Sequence, residues 1–128
     1  MPAKYWLLPL LALALLTVAH GPARAADQEQ FVVTYVEFLP ANQDLGEALL
    51  EVLAALGRRN GAISFTANRE IQRPNFFVLI EIWRDAKARQ DFENLGPTQA
   101  LLNWINRLLE VPFDERPGTL IERLAKNI

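Results

Sequence analysis

The run FFVLIEIW at residues 76–83 constrains the fold more than any other stretch of this chain. Seven of its eight residues are apolar, and it lies between the breaker Arg73-Pro74-Asn75 and the charged pair Arg84-Asp85. That length and composition describe a buried β-strand. Strand side chains alternate between faces, so Glu81 and Trp83 point the same way, with Phe77 and Leu79. A carboxylate in such a strand either performs chemistry or is satisfied by a partner, because an isolated buried charge is too costly to keep.

The neighbouring segments supply the other elements. QFVVTYVEF at residues 30–38 is rich in β-branched and aromatic residues and stops before Pro40, which predicts a strand. After Asn42, a plausible N-cap, Leu45, Ala48, Leu49, Val52 and Leu56 recur at helical spacing, giving a helix to about Gly57 or Arg59. Asn60-Gly61 signals a turn. AISFTANREI then alternates, with Ile63, Phe65 and Ala67 on one face and Ser64, Thr66 and Asn68 on the other. Asp85 can cap a helix carrying Ala88 and Phe92, which is interrupted at Gly96-Pro97; Pro97 suits a first helical position. Leu101, Ile105 and Leu108 continue the stripe, flanked by Leu102, Trp104 and Leu109. PFDERPG reads as a loop and TLIERL as a last short strand.

The first 25 residues have the layout of a secretory signal peptide: Lys4, an apolar run from Leu7 to Val18, then Gly21, Pro22 and the ending Ala23-Arg24-Ala25. The run of 12 residues is shorter than the roughly 20 that a membrane-spanning helix needs. The expectation is export with cleavage after Ala25, to a periplasm or beyond, and a single domain over residues 26–128. Cleavage removes His20, the only histidine of a chain that has no cysteine. Thiol catalysis, histidine bases and triads, zinc fingers and histidine-ligated haem are thereby excluded for residues 26–128. Cleavage also takes Lys4 and Arg24 but no acid, moving the net charge from −2 to −4. An acidic domain of this kind is a poor nucleic-acid binder. A domain of about 100 residues buries a limited core, and oligomerisation often covers what is left.

The order strand, helix, strand, strand, broken helix, strand predicts an α+β, ferredoxin-like βαββαβ fold, with helices on one face of a mostly antiparallel sheet. Ile63, Phe65, Ala67, Phe76, Val78, Ile80 and Ile82 are assigned to the helix-covered face. The opposite face then carries Phe77, Leu79, Glu81 and Trp83, with Ser64, Thr66 and Asn68, and Val33, Tyr35 and Glu37 from the first strand. Such a mixed face suits a small-molecule pocket, a subunit contact, or both.

FVLIEIWRDAKARQDF, preceded by the Asn60-Gly61 turn and the Arg73-Pro74-Asn75 link, resembles the "strand ending in E-x-W, then D-x-x-A" signature of the antibiotic biosynthesis monooxygenase (ABM) domain family, including its quinol monooxygenases. The tail PFDERPGT is similar to the P-[YF]-D-E-R ending of secreted members, and the resemblance spans roughly residues 31–123. It implies a homodimeric α/β barrel with a pocket between sheet and helices, and oxygenation of phenols or quinols by molecular oxygen without metal or flavin. Carried over, Trp83 is a pocket aromatic, Glu81 its polar neighbour, and the Phe92 region the helical wall. Many such domains carry a histidine near the positions held here by Phe92 or Thr98, which this chain lacks.

The candidate catalytic residues are therefore Glu81, as proton acceptor from a phenolic substrate, and Trp83. Tyr35, Glu37, Thr66, Asn68, Phe77, Phe92 and Trp104 are candidate substrate contacts. The competing reading of Glu81 is a carboxylate satisfied by an arginine or by backbone donors across the dimer. For Trp83 it is a core or interface aromatic, and for Thr66 and Asn68 solvated strand positions. Asp114 or Arg116 could pin the loop before the last strand to a partner subunit. No carboxylate set suggests a metal site, there is no glycine-rich phosphate loop, and no cofactor follows from the sequence. The functional expectations are a cofactor-independent monooxygenase acting on a quinol or other electron-rich aromatic, or a non-catalytic dimeric module that binds a small apolar ligand.

Overall fold

The computed structural model describes residues 28–121; the signal peptide read at residues 1–25 lies outside them. Strand β1 (Gln30–Glu37) leads through a short 3-10 turn (Pro40–Asn42) into helix α1 (Gln43–Arg59). Strands β2 (Ala62–Arg69) and β3 (Phe76–Trp83) follow, then helices α2 (Ala86–Glu93) and α3 (Gly96–Asn106), and finally strand β4 (Asp114–Thr119). The sheet order is β2-β3-β1-β4, with every neighbouring pair antiparallel. This is the ferredoxin-like α+β architecture that the order of elements predicts.

Local chemistry sets the boundaries. Gly61, at φ 105°, makes the turn after Asn60 in a conformation that other residues resist. Asp85 caps α2, its Oδ1 accepting from the Ala88 N–H at 2.7 Å. The break at Gly96-Pro97 falls where the sequence places it, with proline in the first turn of α3. Asn42 is no side-chain cap, since it ends the 3-10 turn and directs its amide toward the Leu108 carbonyl instead.

The face of α1 that packs on the sheet carries Gly46, Leu49, Leu50, Leu53, Ala54 and Gly57, the recurrence of an amphipathic helix. Gly57 lies so close to the Phe65 ring that a methyl group there would collide with it. Val36, Phe38, Leu50, Phe77, Trp83 and Ile105 join Phe65 in one core between the helices and one sheet face.

Register corrects the assignment of faces. Val32 pairs with Glu81 and Thr34 with Leu79 across β1 and β3, while Phe65 pairs with Glu81 and Ala67 with Leu79 across β2 and β3. Phe77, Leu79, Glu81 and Trp83 therefore lie under the helices, each at most 3% exposed. Phe76, Val78, Ile80 and Ile82 take the outer face, the reverse of the sequence reading. The polar residue sets that side of β3 apart as a mixed face, but Glu81 is held inside the core by an ion pair with Arg89. A bulge between Ala62 and Ser64 also turns Ile63 out of the core, to 56% exposure. The last strand is corrected too. DERPG, read as loop, pairs with β1 together with Thr119, whereas Leu120 and Ile121 carry no strand and the remainder of TLIERL lies outside the described residues.

The outer face is largely apolar. Val33, Tyr35, Phe76, Val78 and Ile82 are half-buried there and Ile80 is exposed. The Arg116 guanidinium stands 4.8 Å over the Tyr35 ring, and that of Arg73 stands 4.1 Å over Phe76. Among the described residues no helix is long and apolar enough to cross a membrane.

Candidate functional site

Strand β3 aims Glu81 and Trp83 at α2, and the Asp85 cap fixes where that helix begins. One turn later Arg89 reaches back over β3. Its Nε donates to Glu81 Oε1 at 3.0 Å and its Nη2 to Glu81 Oε2 at 3.3 Å, while the indole N–H of Trp83 donates to Glu81 Oε1 at 2.9 Å. Both carboxylate oxygens of Glu81 are thus engaged. Arg89 extends further, with Nη1 2.7 Å from Glu93 Oε1, one helical turn on, and Nη2 donating to Glu115 Oε1 of β4 at 3.1 Å. Trp83, fully buried, stacks on Phe92 with ring centroids 5.2 Å apart.

One guanidinium therefore serves three carboxylates, from β3, α2 and β4. Burial pulls the pKa of Arg89 down, but the hydrogen bonds to Glu81 and the charges of Glu81, Glu115 and Glu93 outweigh it, and the net shift is upward. Glu93 is pushed up by burial, against the pull of Arg89, and further by the like charges of Glu115 and Glu81. Among the described residues the arrangement sets three carboxylates around one cation.

These groups border a half-enclosed cavity between sheet and helices. Leu53, Phe65, Leu79, Phe92, Leu102 and Phe113 form its apolar wall, and Thr34, Glu81, Arg89, Glu93 and Glu115 its polar side. Its free space is about 30 Å³, room for one or two waters and far below the ~300 Å³ at which drug-sized pockets begin. Thr34 is only 2% exposed, and its hydroxyl has no hydrogen-bond partner among the described residues.

Of the residues singled out from sequence, Glu81 and Phe92 border this cavity, and Trp83 backs onto it through Phe92. Phe77 is in the core, edge-on to Phe38 at 5.6 Å. The others are not brought to it. Tyr35 and Glu37 line a separate open groove of about 420 Å³ on the outer face, with Phe76, Val111, Pro112, Asp114 and Arg116. Thr66 and Asn68 are exposed and bonded to each other, and Trp104 on α3 is 50% exposed. Asp114 and Arg116 pair with one another at 2.7 Å. The sequence reading missed Thr34, Arg89, Glu93 and Glu115. Arg89 and Glu93 have the i,i+4 spacing of a helix face, and alternation along DERPGT separates Glu115 from Asp114 and Arg116. Among the described residues no group of histidine, cysteine, aspartate and glutamate could hold a metal ion.

No protein-family model and no curated protein matches the sequence. Solved structures do resemble it. A candidate antibiotic biosynthesis monooxygenase from Caulobacter crescentus superposes with a TM-score of 0.71 at 14% identity, covering 79% of this chain and 97% of its own. A second candidate of that kind, from Nitrosomonas europaea, gives 0.70 at 11% identity, covering 74% and 92%. A Bacteroides thetaiotaomicron protein of unknown function, a candidate oxidoreductase, gives 0.69 at 17% identity, covering 74% and 100%. At these identities the likeness is one of architecture: residues 28–121 adopt the ferredoxin-like fold of the antibiotic biosynthesis monooxygenase structures.

Proposed function

We propose that this chain is a cofactor-independent monooxygenase of the ABM type, acting on a quinol or another electron-rich aromatic in the cavity between sheet and helices. The observation that carries this reading is the half-enclosed aromatic-walled cavity bordered by Glu93, a carboxylate whose pKa burial raises. A carboxylate so shifted is a better proton acceptor for a phenol than an ordinary one. The deprotonated diphenol can pass an electron to molecular oxygen without a metal, and recombination forms a ring hydroperoxide. Its loss of water leaves one oxygen atom on a ring now oxidised to a hydroxyquinone, so that the quinol itself supplies the electrons that reduce the other oxygen atom to water. Glu81, with both oxygens engaged, positions Arg89, and the Trp83–Phe92 stack stiffens the aromatic wall. A substrate ring requires Phe113 and Leu102 to swing outward, given the small closed volume. Tyr35, on the outer face, has no part in holding it.

The proposal includes export with cleavage after Ala25, a periplasmic or extracellular location, and a homodimer in which the apolar outer faces of two sheets meet. The test is oxygen consumption by the mature protein with a panel of quinols. Uptake that falls at least tenfold in Glu93→Gln supports the reading. No uptake above buffer with any quinol overturns it.

The tight cavity and the engaged Glu81 favour a second reading, a non-catalytic dimeric module that binds a small apolar ligand. Ligands that raise the thermal midpoint without being turned over would support it.

A further inference from the structure

The sheet order β2-β3-β1-β4 leaves β2 and β4 each with a free edge. A row of unpaired N–H and C=O groups is a template for another strand, and folded proteins block it. On β4 the block is covalent. The Leu120 N–H bonds the Glu29 carbonyl, so by alternation Thr119, Pro117 and Glu115 turn their backbone groups to the free side. Pro117 has no N–H to offer there.

Strand β2, with the sequence AISFTANR, has no proline. The Glu70 N–H bonds the Phe76 carbonyl, so Asn68 and Thr66 also turn toward β3, while Phe65, Ala67 and Arg69 turn their N–H and C=O groups to the free edge. Helix α1 does not shield this edge by bulk, because Glu51, Ala54, Arg58, Thr66 and Ala67 line an open groove of about 420 Å³ between helix and strand. Side chains close it instead. Arg58, in the last turn of α1, donates from Nη1 to the Phe65 carbonyl at 2.6 Å, near the middle of the strand. The bulge between Ala62 and Ser64 disturbs the edge at one end, and at the other Arg69 is tied to Glu47 of α1 at 2.9 Å.

We propose that Arg58 is an edge guard: by occupying the Phe65 carbonyl it denies the middle of β2 to the β2 edge of a second copy of this chain. Two such edges would meet antiparallel about a two-fold axis, each offering the other the same groups. An incoming strand must displace a charge-assisted hydrogen bond and put a neutral amide in its place, which is the weaker donor. Pairing centred on Phe65 would also bring two Arg58 charges together, and like charges repel. The guarded edge is a different surface from the outer sheet face, and its role requires neither turnover nor the face-to-face dimer.

Sedimentation velocity of the mature protein across a wide concentration range tests this with a matched pair of variants. Arg58→Met keeps the aliphatic length and removes the donor, at an exposed helix end where folding is not at stake. Arg59→Met makes the same change of charge one residue on, at an exposed side chain that has no ion pair among the described residues. Arg58→Met should show a species of twice the wild-type mass that grows with concentration, its self-association constant at least about tenfold above wild type. Arg59→Met should sediment as wild type does. Adding Ala67→Pro to Arg58→Met removes an N–H that faces only the free edge, and should restore wild-type sedimentation. Amide hydrogen exchange gives a reading that needs no proline: the Ala67 N–H should exchange fast in wild type and slow down as Arg58→Met associates. Unchanged sedimentation of Arg58→Met, or equal association of Arg59→Met, would overturn the guard. Association with the Ala67 N–H still exchanging fast would do so too, since the contact would then lie away from β2.

Discussion

The indole N–H of Trp83 donates to the Glu81 carboxylate at 2.9 Å, two residues away on the same face of β3. Together with Arg89 this makes a carboxylate tolerable at 3% exposure beneath the helices. The E-x-W pattern of the strand is therefore a polar unit built into the core. It ties β3 to α2, and through Glu115 to the edge strand β4.

Trp83→Phe should keep a ring against Phe92 while removing the donor and part of the core volume. The expected cost is about 1–3 kcal/mol, read as a lower urea midpoint with an unchanged slope. Glu81 keeps its two bonds from Arg89, so the fold persists.

Arg89→Met should cost more, about 3–5 kcal/mol, because it strands the Glu81 charge in the core. Glu81→Gln combined with Arg89→Met should be less destabilised than the sum of the two single variants, with a coupling of roughly 0.5–3 kcal/mol. A double-mutant cycle by chemical denaturation measures it, and additive costs would show that the pair is not energetically linked.

Glu93 sets a pH dependence of definite sign. Its folded pKa is raised by burial first and then by the charges of Glu115 and Glu81. The folded state thus holds the proton more tightly than the unfolded chain. That contribution is fully present below the ordinary glutamate range and is lost as pH rises through the raised value. Glu93→Gln should accordingly be as stable as wild type, or more stable, at pH 7. Because 39% of the Glu93 side chain is exposed, the gain should stay below about 1 kcal/mol after solvent screening. The difference should shrink below the ordinary glutamate range, where Glu93 is protonated, and thermal midpoints across pH follow it.

Much of this architecture was legible in the sequence. Pro40, Asn60-Gly61, Arg73-Pro74-Asn75, Asp85 and Gly96-Pro97 punctuate the chain at or next to the boundaries of its elements, because turns and caps are local chemistry. The faces of β3 were not legible. Seven apolar residues in eight leave only Glu81 to distinguish the sides, and it misleads because its counter-ion comes from a different element. The site suffered likewise, since Thr34, Arg89, Glu93 and Glu115 are ordinary residues until β1, α2 and β4 converge.

Close approach of α1 to β2 gives a further expectation. A methyl group at Gly57 would meet the Phe65 ring, whereas nothing lies within 4 Å of one added at Gly96. Gly57→Ala should cost about 1–3 kcal/mol through overpacking. Gly96→Ala, in the first turn of α3, should be neutral or stabilising by up to about 1 kcal/mol. Thermal unfolding of the two variants side by side separates the packing effect from the general preference of helices for alanine.

The outer face supplies the test of assembly. Ile80 sits at the middle of β3, between Val33 of β1 and Thr66 of β2, and is 41% exposed. In an isolated chain Ile80→Glu replaces a side chain that is already partly solvated, at little cost. In a dimer closed through this face the same change buries two unpaired charges against each other, which is strongly unfavourable. Sedimentation velocity should therefore find the mature wild-type protein dimeric and Ile80→Glu monomeric, with unchanged far-ultraviolet circular dichroism. A wild-type monomer would overturn the dimer, and a variant that stays dimeric would move the subunit contact away from the sheet.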